Sequence, residues 1–294
     1  MDGKVLYSDE TVWHPKVTED PDYHFEGIMD SVKRAAAHLP RVDAIGVSSA
    51  GIYINNRTMV ASLFLKVPQE LFDAKVKDIY PRVAKELGNV PIEVRNDGDV
   101  TALAGASSLQ DTNILGIAMG TSEAVGYVDA EGSLTGWLNE LSFMPVDYNP
   151  EAMVDEWSGD YGCGVKYFSQ DAVIKLAPAA GIDLDENLTP AEKLKVVQDL
   201  LGKGHEGAQK IFESIGTYLG YAVAYYADFY DIKHLLILGR VTSGRGGILI
   251  LEKAREVLNA DFPELSKINF HLPDESDRRV GQAITAAGLT ALTR

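Results

Sequence analysis

Apolar residues in the first hundred positions recur at two different spacings. Phe25, Ile28, Met29, Val32 and Ala36 return every three or four residues, which places them on one face of a helix. Residues 44–47 instead form a short continuous apolar run ending in Ser48-Ser49-Ala50-Gly51, the pattern of a buried strand that enters a tight turn. Val76, Ile79, Tyr80, Val83 and Leu87 repeat the helical spacing, and Gly88 stands where a left-handed residue closes a helix. The next predicted strand is 91–94, with Asn96-Asp97-Gly98 at its C-terminal end. That is the end at which open α/β sheets bind ligands. The alternation predicts a mostly parallel sheet covered on both faces.

A second set of strands begins after Thr112. Residues 113–119, 124–129 and 132–136 read as strands, the last two forming a hairpin around Ala130-Glu131. Thr189-Pro190-Ala191-Glu192 combines a cap residue, a proline at the first helical position and a glutamate three residues on, so a helix starts at Pro190. Ile211, Ile215, Leu219, Ala222 and Tyr226 mark one face of a long helix predicted to end near Asp231. A strand at 235–238, a glycine-rich turn at 239–247, a helix at 248–258 and an alanine-rich last helix at 279–292 complete the prediction. Tyr218, Tyr221, Tyr225, Tyr226 and Tyr230 are expected to pack between lobes or subunits.

Charge and composition narrow the function classes. The 294 residues carry a formal net charge of -16, which argues against a nucleic-acid groove, because phosphate affinity comes from clustered Lys and Arg. The longest apolar runs, 232–238 and 246–251, fall short of the roughly 20 residues that span a bilayer, and the polar N-terminus has no secretory pattern. The expectation is a cytoplasmic protein with neither nucleic-acid nor membrane partners. A single cysteine, Cys163, excludes an intrachain disulfide and cannot alone build a structural zinc site. The six histidines (His14, His24, His38, His205, His234 and His271) show no metal-ligand spacing.

Alone, Asn96-Asp97 reads as an Asx-turn or a helix cap. The order of the surrounding segments changes that reading. Ala44-Ile-Gly-Val-Ser-Ser-Ala-Gly-Ile, Asn96-Asp97, Ile117-Ala-Met-Gly-Thr, Gly136-Trp-Leu-Asn-Glu140, Gly162-Cys163 through Ser169, and Tyr218 to Gly239 occur in the same succession as segments of the ROK family of sugar kinases and sugar-responsive regulators. This resemblance implies a two-lobed actin/hexokinase-like (ribonuclease H-like) α/β fold, each lobe a mixed sheet flanked by helices. It implies an N-terminal lobe over 1–110, completed by the helix at 279–294, and a C-terminal lobe over 111–278. It further implies ATP-dependent phosphorylation of a hexose or hexosamine hydroxyl, with Mg2+ neutralising the triphosphate, and a homodimer. By resemblance Asp97 is the catalytic base, and Asn96, Glu140, Ser49 and Gly51 hold the sugar. Gly120 and Thr121 meet the phosphates, and Gly239, Ser243 and Gly244 lie near adenosine.

Several positions depart from the family's pattern. The family opens with an Asp-x-Gly-Gly-Thr phosphate loop, whereas Met1-Asp2-Gly3-Lys4-Val5-Leu6 resembles the stretch just after that loop, so the expectation is a chain without it. In place of Gly-Thr-Gly-x-Gly stands Gly120-Thr121-Ser122-Glu123-Ala124, which would set a repulsive carboxylate beside phosphates. Leu141-Ser142-Phe143 replaces Ile-Gly-His, Val165 replaces a sugar-binding glutamate, and the zinc cysteines reduce to Cys163, so no structural zinc is expected. Phe143 and Val165 together predict an apolar pocket wall that favours deoxy-, acyl- or aryl-substituted sugars over glucose. Kinase activity is expected to be weak. The open alternative is a catalytically degenerate sugar-binding or regulatory relative; a DNA-binding repressor is disfavoured, because ROK repressors carry an N-terminal helix-turn-helix extension.

Overall fold

A computed structural model describes residues 5–15, 17–273 and 285–289. The described residues fall into two compact units, one drawn from Met1–Val100 and Arg279–Arg294, the other from Thr101–Arg278.

The first unit runs α1 (Pro21–Ala36), β1 (Ile45–Ser49), β2 (Ile52–Ile54), β3 (Arg57–Val60), α2 (Gln69–Leu71), α3 (Ile79–Glu86), β4 (Ile92–Asn96) and the start of α4 (Asp97–Leu109), within which the division between units falls. The Asp20 carboxylate accepts the Asp22 amide and Pro21 fills the first turn, so α1 is fixed at its N-terminus. β1 and β4 pair in parallel from Ile45↔Ile92 to Ser49↔Asn96. β2 and β3 form a separate antiparallel hairpin, which the apolar pattern did not predict. Its two-residue turn, Asn55-Asn56, takes positive φ at both positions, the geometry a tight hairpin requires. The Asn56 side chain then straps the hairpin to β4, donating to Ile92 O at 2.9 Å and accepting from Val94 N at 2.8 Å.

The helix expected from Val76 starts at Ile79, because a π-helical turn at Phe72–Val76 precedes it and closes with Lys77 N donating to Phe72 O. Val76, Ile79 and Val83 are buried as the spacing predicts, and Gly88 takes φ +90 just beyond the helix.

The second unit continues α4 and adds β5 (Ile114–Met119), β6 (Glu123–Val128), α5 (Gln170–Leu176), α6 (Pro190–Gly202), α7 (Glu206–Tyr226), β7 (His234–Leu238), α8 (Arg245–Asp261) and β8 (Asn269–His271). Its mixed sheet has the order β6-β5-β7-β8, with β6 antiparallel to β5 and the other neighbours parallel. The strand expected at 132–136 reduces to one bridge, Val128↔Leu134, because the Asp129 carboxylate takes the Glu131 and Ser133 amides and turns the chain locally. Leu115, Ile117, Leu235 and Ile237 are fully buried in the largest core cluster. The predicted capping box is present at Thr189 and Glu192. α7 ends five residues earlier than expected, and α8 begins three residues earlier, taking Gly246 and Gly247 into its first turn. These two helices pack closely: a Cβ on Gly220 would lie 2.6 Å from the Cβ of Val257. Tyr218, Tyr226 and Tyr230 are used inside this unit, where Tyr226 is fully buried and Tyr230 donates to Asn139 Oδ1. Residues 285–289 are helical, and the remainder of the helix expected at 279–292 lies outside the described residues.

Candidate functional site

In the first unit, four of the residues singled out in the sequence come together at the C-terminal ends of β1 and β4. Ser49 and Asn96 are register partners. The Asn96 amide donates to Gly51 O at 2.9 Å, and its Oδ1 accepts the Gly98 amide at 2.7 Å, so one side chain ties the turn after β1 to the start of α4. A second N–H and a second lone pair remain on that amide. Asp97 is the first residue of α4 and accepts from the Gly98 amide at 3.2 Å. Burial pushes its carboxyl above the ordinary aspartate range, against the opposing effect of backbone N–H groups.

Two tyrosines complete this cluster, and neither is singled out by the sequence reading. The Tyr53 hydroxyl donates to Ser49 Oγ or Ala50 O, each at 2.8 Å, and Ser49 Oγ also bonds the Tyr80 hydroxyl at 2.8 Å. Ser49 therefore holds its turn. Burial raises both tyrosines, and Tyr53 is raised further by Tyr80 and Asp97. Tyr53 lies in a strand missed by the periodicity, and Tyr80 in a helix where its ring reads as core.

In the second unit, the neighbouring parallel strands β5 and β7 end in adjacent turns, with Ala118 and Leu238 in register. Gly239 takes φ +105 and lies so close to Met119 that a Cβ would overlap its backbone, so the two turns meet only because position 239 has no side chain. Gly120 N donates to Ser122 O at 3.0 Å, and Gln170 N donates to Gly120 O at 2.9 Å. Beyond Gly239, Arg240 Nη2 donates to Thr121 Oγ1 at 3.3 Å, and Thr242 Oγ1 donates to Gly239 O at 2.9 Å. Ser243 and Gly244, the latter at φ +61, lead into α8. Gly120, Thr121, Gly239, Ser243 and Gly244 thus belong to one pair of turns.

Glu123 corrects an expectation. Its side chain is turned into the protein, and a Cβ on Gly164 would lie 2.6 Å from Oε2. Neither carboxyl oxygen has a hydrogen-bond partner among the described residues. Burial first and Glu140 second push its pKa up to about 8, so at neutral pH it is mostly protonated and presents no anion to a phosphate.

Glu140 precedes a short turn at Leu141–Phe143, where Ser142 Oγ donates to Glu140 Oε2 at 3.3 Å. The Phe143 ring lies 5.4 Å from that of Trp157, which is 54% exposed, and Val165 is half-buried. The segment 145–163 is held by side chains. Tyr167 and Tyr218 donate to Asp147, and Lys166, its own side chain 9% exposed, pairs with Glu156 at 2.5 Å and Asp171 at 2.8 Å. Burial pushes the Cys163 thiol up to about 11, which disfavours the thiolate that a metal needs. Among the described residues no group of three or more His, Cys, Asp or Glu side chains is placed to hold a metal ion.

A parallel strand pair feeding an Asn-Asp helix start, and a mixed sheet whose parallel strands end in glycine turns, define an α/β protein with the actin/hexokinase-like fold. Solved structures with this fold include ROK-family proteins. The ROK hexokinase of Thermus thermophilus matches over 93% of this chain and 88% of its own, at 18% identity and a TM-score of 0.69. The ROK glucokinase of Streptomyces griseus, in complex with glucose and AMPPNP, matches over 90% and 87%, at 19% identity and a TM-score of 0.66. A ROK-family transcriptional regulator, a homologue of the E. coli MLC protein, matches over 92% and 71%, at 18% identity and a TM-score of 0.68. At these identities the likeness is one of fold. No protein-family model matches the sequence, and no curated protein matches it.

Proposed function

We propose that this protein transfers the terminal phosphoryl group of ATP to a hydroxyl of a hexose or hexosamine. The observation that carries the reading is Asp97, a buried carboxyl at the C-terminal end of a parallel strand, with its proton affinity raised by burial. A base in that condition takes a hydroxyl proton better than an exposed aspartate, and phosphoryl transfer asks little more of the protein than a positioned nucleophile, a base and charge neutralisation. On the first unit, Asn96 keeps donor and acceptor capacity for sugar hydroxyls, and Gly51 and Ser49 shape the turn beside it.

The phosphates are assigned to Gly120 and Thr121, with Gly239, Ser243 and Gly244 near the nucleoside. The fit is favourable there: Thr121 is exposed, and a Cβ on Gly120 would meet nothing closer than 3.8 Å. ATP supplies the transferred group, and Mg2+ carried on its phosphates keeps much of its water and needs few protein ligands. Phe143, Trp157 and Val165 extend the sugar assignment to acyl- or aryl-substituted sugars, whose apolar part such a wall accepts.

Replacement of Asp97 by asparagine tests the reading. Sugar-dependent ADP release is lost while sugar affinity stays within a few-fold. Joint loss of affinity, activity and folding would make Asp97 a structural cap instead.

One observation favours a second reading, a sugar-binding relative without phosphoryl transfer. The Gly120 amide is engaged inside its own turn by Ser122 O, so it is not directed at an oxyanion. Tight sugar binding with no ADP release under single-turnover conditions would select this alternative.

A further inference from the structure

Arg240 begins a short turn, Arg240–Thr242, that follows β7. Its guanidinium is exposed, and one N–H meets the Thr121 hydroxyl at 3.3 Å. A guanidinium has five such donors, so a single long contact to a neutral oxygen leaves most of the fork available. No carboxylate pairs with Arg240 among the described residues.

Its position is fixed on both sides. Gln198 Nε2 donates to Arg240 O at 2.7 Å, and Gly239 is pressed against the Met119 backbone. The register of β5 on β7 therefore brings Arg240 to the rim of the 120–122 turn. That rim presents the exposed Thr121 and Ser122, whereas the nearest carboxyl in sequence, Glu123, is turned inward.

We propose that Arg240 is a phosphate-binding residue, whose free guanidinium edge takes the oxygens of a polyphosphate lying on the 120–122 turn. It supplies there the donor that the Gly120 amide withholds. This rests on the reading that the two turns serve a phosphoryl donor. Planar guanidinium and phosphate match as a two-point, charge-assisted pair. A nucleoside triphosphate and an inorganic polyphosphate offer the same group.

The test is calorimetric titration of the full chain with AMPPNP and Mg2+, with inorganic tripolyphosphate, and with adenosine. Arg240→Ala, Arg240→Gln and Arg240→Lys are compared with wild type. Glutamine keeps an N–H donor but removes the charge and the guanidinium fork. AMPPNP affinity should fall at least about tenfold in Arg240→Ala and Arg240→Gln, the size expected for a lost charge-assisted hydrogen bond, and recover in part in Arg240→Lys. Adenosine affinity and the melting temperature should stay unchanged. Tripolyphosphate binding that also requires Arg240 would identify an inorganic donor, and binding of AMPPNP alone a nucleotide. Equal AMPPNP affinity in wild type and Arg240→Gln would overturn the proposal and leave the kinase reading standing, as would an equal loss of adenosine affinity. Failure of wild type to bind either polyphosphate would overturn both.

Discussion

A carboxyl group enclosed without a hydrogen-bond partner makes stability depend on pH, and among the described residues Glu123 has none. Its pKa of about 8 lies above the ordinary 4.5, so the folded chain retains a proton that the unfolded chain releases between those values. The contribution of Glu123 to stability is then fully present below about pH 4.5 and is lost as the pH rises toward 8. Glu123→Gln removes the ionisation while keeping the shape. It should add little at pH 5 and about 3 kcal/mol at pH 7, read from urea unfolding at the two pH values. An identical gain at both would contradict the assignment. Asp97 has the same sign of shift and, as the proposed base, a different consequence, since a base acts only when ionised. The rate with sugar should therefore fall as the pH drops through a value above the usual aspartate range, and a rate that shows no such fall would remove Asp97 from the role of base.

At the scale of elements, the α7–α8 pair depends on glycine where the helices touch. Gly220→Ala sets a methyl against Val257 and Ala254 O, and should cost about 1–3 kcal/mol by thermal or urea unfolding. A stabilising effect, as helix propensity alone would give, would contradict this packing. Lys166 ties the segment 145–163 to the start of α5 through Glu156 and Asp171. Lys166→Met removes the pairs to the exposed Glu156 and the partly exposed Asp171, and should cost on the order of 1 kcal/mol. Limited proteolysis should then cut within 145–163 faster, whereas chelators should leave that rate unchanged.

The legible elements were those specified by local chemistry. Thr189 and Glu192 form the capping box of α6, and the apolar spacings place Met29, Val83, Ile215 and Leu219 inward. Elements fixed by distant partners were not. β2 and β3 are three and four residues long and signalled only by Asn55-Asn56, and β8 owes its existence to β7. At the site, the sequence marks Asn96 and Asp97 by their place at a strand end. It hides the Tyr53–Ser49–Tyr80 chain, the inward turn of Glu123 and the Arg240–Thr121 contact, because each depends on how side chains from separate elements meet. An arginine directly after an apolar strand and its closing glycine was the available signal.

For the whole molecule, the fold matches ROK-family structures over at least 90% of the chain in the hexokinase, the glucokinase and the regulator, at identities of 18 to 19%. Such a likeness fixes the architecture and leaves chemistry to the residues. No helix among the described residues is long and apolar enough to cross a membrane. The central claim is sugar phosphorylation with Asp97 as base. Its most direct test is coupled ADP release from ATP and Mg2+ over a panel of hexoses, hexosamines and their acyl and aryl derivatives, run on the wild-type chain and on Asp97→Asn. The account predicts sugar-dependent release, faster with the substituted sugars than with glucose, and at least about a hundredfold lower in Asp97→Asn with sugar binding retained. Release that is absent for every sugar, or equal in the two proteins, would contradict it.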